Sequence, residues 1–268
     1  MYNVKAKKKY GQNFLKDEAV VQQIVQSIPN TKNTLVEIGP GLGDLTKKLL
    51  KVKGVVAFEV DVDLYEILTK DIQDEINNSK LKLINRDVLE GWDKNLIDTN
   101  YDLVANLPYY IATKIISRAF RDSNCKNILV MIQKEVAVKF CAKVNQKEFS
   151  TLSVLAQSVG EAEIVFDIPP EAFYPTPKVT SSILKISKSE LSYDVDFEKF
   201  LRVCFIQPRK KLSKNLSTKY SKDIVIEILE NLNLETLRPH QVATPMYHQL
   251  YKILKGRIDG ECKSEKRG

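Results

Sequence analysis

The feature that most constrains this chain is a rhythm. Five short apolar runs, at residues 35–38, 55–58, 81–84, 103–105 and 128–132, are each separated from the next by a polar or helix-like stretch. The runs are near-continuously apolar, broken only by Glu37 and Lys82, which suits strands buried on both faces, as happens when helical crossovers cover both sides of a parallel sheet. The expectation is an α/β, doubly wound domain. Ahead of it, Asp17 is placed to cap a helix whose apolar positions Val20, Val21, Ile24, Val25 and Ile28 recur at helical spacing, with Pro29-Asn30 ending it.

After Gly160 the pattern changes. Residues 163–166, a proline-rich loop at 169–177 and an alternating run at 181–186 predict an antiparallel hairpin closing the sheet. The polar stretch 187–193 reads as a linker. Beyond it, 197–205, 212–216, 224–232 and 246–254 read as helices, the last with Thr244 as cap and Pro245 at its first position. With 268 residues, 43% of them hydrophobic, the chain can bury more than one core. Two domains are therefore expected, an α/β domain over 1–190 and a small helical one over 191–268.

Several classes are disfavoured. No stretch is long and apolar enough to span a bilayer, and the lysines at the N-terminus are followed by no apolar run, so a cytoplasmic protein is expected. Cys125, Cys141, Cys204 and Cys262 lie far apart without a Cys-x-x-Cys pair, and the two histidines, His240 and His248, offer no zinc spacing; reduced structural thiols, packing histidines and no metal are expected. The net charge of +7 is unevenly spread: residues 195–268 carry fifteen Lys and Arg against nine Asp and Glu, and residues 1–16 carry five lysines and no acid. Basic ends around a mildly acidic middle suit a polyanion gripped from two sides, although solvated lysine-rich helices would look the same.

The first apolar run leads into Glu37-Ile38-Gly39-Pro40-Gly41-Leu42-Gly43. Glycines here let the backbone turn sharply and let a ligand lie against it. Their spacing departs from the dinucleotide fingerprint that receives a pyrophosphate. Glu59 ends the second run, placed to accept ribose hydroxyls, and Asp87 follows the third, placed to accept from an adenine amine. Taken in order, loop, Glu59 and Asp87 read as adenosine recognition without phosphate, which points to S-adenosylmethionine rather than a nicotinamide cofactor.

Asn106-Leu107-Pro108-Tyr109 follows the fourth run. The exocyclic amine of adenine is a poor nucleophile, its lone pair being delocalised into the ring. Two acceptors, the Asn106 amide oxygen and a backbone carbonyl near Leu107, can hold its two hydrogens and favour a pyramidal nitrogen. Pro108 fixes its own backbone angle and restricts Leu107, and Tyr109 offers a face to a planar base.

With these motifs the chain resembles the KsgA/RsmA-type small-subunit ribosomal RNA adenine dimethyltransferases. The resemblance covers most of its length: Gly11-Gln12-Asn13-Phe14-Leu15, Glu37 through Gly43, Glu59, Asp87-Val88-Leu89, Asn106 through Tyr109, Gln133-Lys134-Glu135-Val136, Phe173 through Ser181, and Phe205-Ile206-Gln207-Pro208-Arg209-Lys210-Lys211. It implies a Rossmann-like class I S-adenosylmethionine-dependent methyltransferase fold. It also implies that Gln12, Asn13, Leu15, Gly39, Gly41, Glu59, Asp87 and Asn106 line the cofactor site, and that Phe173 stacks on a flipped base opposite Tyr109. The implied substrate is two adjacent adenines in a hairpin loop near the 3′ end of 16S rRNA, each dimethylated within an immature small ribosomal subunit, with a checkpoint role in assembly.

The chain departs from the family pattern at Pro208, where a basic residue is usual; this proline is expected to start a helix, with RNA contact through Arg209, Lys210, Lys211 and Lys214. A monomer is the simpler expectation. The alternatives are a 23S rRNA methyltransferase of the antibiotic-resistance type, disfavoured by Leu107 and by residues 207–211, and a DNA adenine methyltransferase, which usually has a second proline at position 107. An assembly factor acting mainly by binding would have no need to combine Asn106, Glu59 and Asp87; a nicotinamide dehydrogenase is the remaining enzyme alternative, which the absence of a cofactor-dependent absorbance change would dispose of.

Overall fold

The computed structural model describes residues 7–189 and 193–264. Residues 190–192 of the expected linker and Lys5 of the basic N-terminus lie outside the described residues, as does the side chain of Cys262.

The chain enters through a short strand β1 (Phe14–Leu15) and helix α1 (Glu18–Gln26), whose N-terminus is capped by Asp17 accepting from the Ala19 and Val20 amides. Strands and helices then alternate: β2 (Thr34–Ile38), α2 (Thr46–Leu49), β3 (Val55–Glu59), α3 (Val62–Asp71), α4 (Gln73–Asn77), β4 (Leu81–Asn85), β5 (Tyr101–Asn106), α5 (Ala112–Arg121) and β6 (Cys125–Gln133). After α6 (Lys134–Cys141) and α7 (Thr151–Val159) come β7 (Gly160–Ile168), the two-residue β8 (Phe173–Tyr174) and β9 (Ser181–Lys188). Helices α8 (Val195–Cys204), α9 (Leu212–Leu216), α10 (Lys222–Asn231) and α11 (Thr244–Ser264) complete it.

Seven strands form one sheet in the order β4-β3-β2-β5-β6-β9-β7. The pairs from β4 to β6 are parallel, whereas β9 runs antiparallel to both β6 and β7. The hairpin expected after Gly160 therefore exists, with its second strand inserted next to β6 and its first on the outside. Burial follows position: β5 is buried over its first five residues, while the edge strand β7 alternates along its length. Strand order reverses between β2 and β5, with β3 on one side and β6 on the other. In open α/β sheets the crevice at the carboxyl ends of such a pair is where ligands bind.

The opposite edge is closed by buried acids. Asp122 is fully buried and accepts from Trp92 Nε1 at 3.0 Å, Tyr101 Oη at 2.7 Å and the Leu96 amide at 2.8 Å. Lys188 Nζ donates to the Ala119 and Asp122 carbonyls, at 2.6 Å each. Asp102, at the start of β5, accepts from Thr31, Asn33 and Asn127. A buried carboxylate is tolerated only when it is hydrogen-bonded this fully. Both clusters fasten the amino-terminal edge and leave the carboxyl edge to the site.

The residues form two compact units. One runs to Ala137 and resumes from Val159 through β9; the other joins Val138–Ser158 to everything described from Tyr193 on. Residues 138–158 thus belong with the C-terminal helices, although they precede the last two sheet strands in sequence. Within that second unit His248 stacks on Phe197 at 4.2 Å between ring centroids and bonds Ser158 Oγ at 2.8 Å. Thr244 Oγ1 donates to Gln157 at 2.6 Å, and the Asn145 amide donates to the His240 carbonyl at 2.8 Å. Among the described residues no helix is long and apolar enough to cross a membrane.

Candidate active site

Four loops leave the carboxyl edge of the sheet side by side, and the N-terminal segment lies over them. Together they line an open cleft enclosing about 1010 Å³ of space continuous with solvent. Its walls include Asn13, Leu15, Gly39, Gly41, Glu59, Asp87, Asn106 and Tyr109. Sequence positions spread over nearly a hundred residues are thereby gathered into one cavity.

The glycine loop explains itself by its dihedral angles. Gly39, Gly41 and Gly43 have φ of +71°, +60° and +80°, a region that side chains other than glycine enter only with strain. The three do different work. A Cβ on Gly39 would meet nothing within 4 Å, whereas one on Gly43 would lie 2.4 Å from Leu68 Cδ1, against the core. Gly39 and Gly41 line the cleft; Gly43 lets the loop pack on α3.

Glu59, at the end of β3, is 4% exposed and held by the backbone: Oε2 accepts from the Gly41 amide at 3.1 Å and Oε1 from the Asp61 amide at 2.9 Å. Burial raises its pKa, opposed by these two amides. The carboxylate is therefore oriented before any ligand arrives. Asp87 accepts from the Leu89 amide at 2.9 Å, which shapes the turn after β4.

The N-terminal segment is tied down by a latch that no local signal in the sequence revealed. Lys7 Nζ lies 2.6 Å from Asp61 Oδ1 and 2.6 Å from Asp63 Oδ2, and Gln12 Nε2 donates to Asp61 Oδ2 at 2.9 Å. Hydrogen bonds to the two acids push the lysine pKa up. The other end of the Gln12 amide accepts from the Lys7 backbone at 2.8 Å. The Gln12 side chain, expected at the cofactor, is thus committed to fastening the segment to α3, and what Gln12 gives the cleft is its place in the wall.

Asn106 ends β5. Its Nδ2 donates to the backbone carbonyl of Asn13 at 3.0 Å. This bond fixes the planar amide and leaves its oxygen as the end that can accept from a ligand. Leu107 is 1% exposed and its amide donates to the Met131 carbonyl at 3.2 Å, so the tetrapeptide is anchored to β6 as well. Tyr109 is fixed through its hydroxyl, 2.7 Å from Ser181 Oγ on β9, and burial raises its pKa. Ser181 is fully buried. The sequence placed it in a motif but gave it no task.

Two expectations need correction. Phe173 does not face the cleft: it is 3% exposed, pairs with Leu15 across β1 and β8, and packs in the core with Val21 and Ile24. On so short a strand one residue turns inward and the next outward, and here it is Tyr174 that is 64% exposed. Pro208 does not start a helix either. It sits in a turn closed by the Lys210 amide on the Gln207 carbonyl, and α9 begins only at Leu212. Buried Asn215 clamps that turn, accepting from the Gln207 amide at 2.7 Å and donating to its carbonyl at 3.1 Å. Arg209, Lys210, Lys211 and Lys214 are all exposed, in the second unit. Among the described residues no group of three His, Cys, Asp or Glu side chains could hold a metal ion.

Comparison with known proteins identifies the family. The family model for ribosomal RNA adenine dimethylase matches residues 3–254. Ribosomal RNA small subunit methyltransferase A of Aliarcobacter butzleri is 57% identical over 263 residues, covering 96% of this chain and 99% of the relative. A dimethyladenosine transferase from Plasmodium falciparum superposes with a TM-score of 0.76 at 24% identity, covering 92% of this chain and 98% of that one. The 23S rRNA methyltransferase ErmE does so with a TM-score of 0.66 at 22% identity, over 89% and 98%. The fold is that of the class I S-adenosylmethionine-dependent methyltransferases, S-adenosylmethionine is the cofactor, and the chain belongs to the ribosomal RNA adenine dimethylase family.

Proposed function

We propose that this chain dimethylates the N6 amines of two adjacent adenines in a hairpin loop near the 3′ end of 16S rRNA. On this reading it works as a cytoplasmic monomer on an immature small subunit, and its release after methylation marks a step in assembly. The target rests on likeness to the small-subunit enzyme of A. butzleri over nearly its whole length. Similarity of fold does not decide it, because ErmE shares the architecture.

The observation that carries the chemistry is the Asn106–Asn13 hydrogen bond, which presents an oriented amide oxygen at the sheet switch point. The cleft suits the cofactor: Gly39 has open space beside it, Glu59 is preset by two amides, and Asp87 stands in the same wall. Gly39, Gly41, Asn13, Leu15, Glu59 and Asp87 would hold it. When bound, S-adenosylmethionine supplies an electrophilic methyl group on a positively charged sulfur.

The Asn106 oxygen and a carbonyl near Leu107 would take the two amine hydrogens of the base and turn its lone pair outward; Tyr109, steadied by Ser181, gives the ring a face to lie on. No general base is required, because the alkylated amine is acidic enough to lose its proton to water. Phe173 could join the stack only by leaving the core it occupies. Arg209, Lys210, Lys211 and Lys214 would meet RNA phosphates. Labelled cofactor offered to both ribosomal subunits and to free RNA tests the reading. Label on two adjacent adenines of small-subunit RNA supports it; label confined to large-subunit RNA overturns it.

A further inference from the structure

Glu37 has no task in the account so far. It stands at the end of β2 in the wall of the cleft, 1% exposed, and its Oε2 atom has no hydrogen-bond partner. Leaving a buried carboxylate oxygen unpaired is costly, so such an atom marks either a neutral group or a group awaiting a ligand. The surroundings supply no counter-charge. On β3, two residues beyond its register partner Ala57, is a second buried acid, Glu59, and from α2 the buried Thr46 hydroxyl, itself without a partner. The other charged groups in the wall are Asp44, which pairs with Lys16, Asp87, and Arg86, whose guanidinium lies 5.1 Å over the Phe58 ring. Lys7, at the cleft's edge, is taken by Asp61 and Asp63.

We infer that Glu37 keeps its proton in the empty site and releases it to solvent when the cationic cofactor enters, so that the cleft distinguishes the sulfonium substrate from its neutral thioether product by charge. The inference rests on the cofactor assigned above and concerns what this carboxyl does toward it. At neutral pH S-adenosylmethionine carries a sulfonium, an ammonium and a carboxylate, a net charge of +1; S-adenosylhomocysteine has lost the sulfonium charge and is neutral. The step is a simple ionisation: the O–H bond of the Glu37 carboxyl breaks, the proton goes to buffer, and the carboxylate stays in the cleft. When the thioether replaces the sulfonium, the carboxylate recovers a proton from solvent.

Burial, with Glu59 adding like charge and the Thr46 hydroxyl opposing, pushes the Glu37 pKa up to about 8. A unit positive charge at about 6 Å in a medium of effective dielectric ~20 lowers a carboxyl's pKa by about two. From a starting value of about 8, binding the sulfonium at pH 7 then releases about 0.8 of a proton, and preference for substrate over product rises about sixfold from pH 6.5 to 7.5.

Titration calorimetry at pH 7, repeated in buffers of different ionisation enthalpy, reads the proton directly. Wild type is expected to release about 0.8 of a proton more with S-adenosylmethionine than with S-adenosylhomocysteine, and Glu37→Gln to lose that difference. Equal release with both ligands in wild type, or a difference that persists in Glu37→Gln, overturns the inference. Should the variant not fold, infrared difference spectra of wild type decide: a protonated-carboxyl band that disappears with the sulfonium and persists with the thioether supports it, and a band unchanged by either sinks it. If neither ligand binds at all, the cofactor assignment fails instead.

Discussion

Gly39 and Gly43 sit four residues apart in one loop, and alanine at each should fail for a different reason. Both have positive φ, so either substitution places an L side chain in the left-handed region at a cost of about 1–2 kcal/mol. At Gly39 that is the whole structural cost, because a Cβ there meets nothing within 4 Å. At Gly43 the new methyl would lie 2.4 Å from Leu68 Cδ1, and Leu68 is fully buried. Overpacking of this kind adds about 1–3 kcal/mol, giving about 2–5 kcal/mol in total for Gly43→Ala. Urea unfolding at a shared m-value measures both. Cofactor affinity should rank them the other way: Gly39 lines the cleft and Gly43 does not, so Gly39→Ala should lose about tenfold or more in S-adenosylmethionine affinity while folded Gly43→Ala loses less. If the two variants prove equally stable, or if Gly39→Ala binds the cofactor as wild type does, the division of labour in the loop is wrong.

Ser181→Ala removes the partner of the Tyr109 hydroxyl and should lower kcat by about tenfold while leaving S-adenosylmethionine affinity within about twofold; Ser181→Thr should recover part of the loss, and unchanged kcat would remove Ser181 as a positioning residue. Replacing Lys210 and Lys211 together by alanine should reduce the slope of log affinity for RNA against log salt by about 2; an unchanged slope would mean that these lysines do not meet phosphates. Glu37 titrates near 8 in the fold against an ordinary 4.5, so between those values the folded state binds more protons than the unfolded one and stability falls as pH rises, the full penalty being present above about 8. Glu37→Gln should therefore gain stability relative to wild type as pH climbs through that window, and a difference that is flat with pH would show that the carboxyl is not held neutral.

The sheet was legible because its inner parallel strands are buried on both faces, which writes near-continuous apolar runs into the chain. Gly39, Glu59, Asp87 and Asn106 were legible for a related reason: they sit at the ends of those runs, and parallel strands deliver their ends to one edge. What the sequence hid depends on partners distant in the chain. Lys7 finds Asp61 across 54 positions, and nothing near Lys7 distinguishes it from its lysine neighbours. Asn13 was expected only to line the cofactor site, and nothing in the sequence showed that its backbone carbonyl orients Asn106. Phe173 and Tyr174 are adjacent aromatics on a two-residue strand, where pattern alone cannot say which ring turns inward. Pro208 could open a helix or a turn, and the choice was made by Asn215 closing on the backbone of Gln207, eight residues before it. The alliance of residues 138–158 with the C-terminal helices is likewise made by contacts such as Gln157 with Thr244, which no local periodicity records.

The account depends most on Asn106 as an acceptor of the target amine, oriented by Asn13. Single-turnover methyl transfer from labelled S-adenosylmethionine to small-subunit particles, measured beside cofactor affinity for wild type and Asn106→Ala, tests this directly. Removing one preorganised group that acts on the transition state should slow transfer by about 10²–10³-fold, while cofactor affinity stays within about tenfold. Transfer by Asn106→Ala at the wild-type rate, or a loss wholly accounted for by weaker cofactor binding, would contradict it.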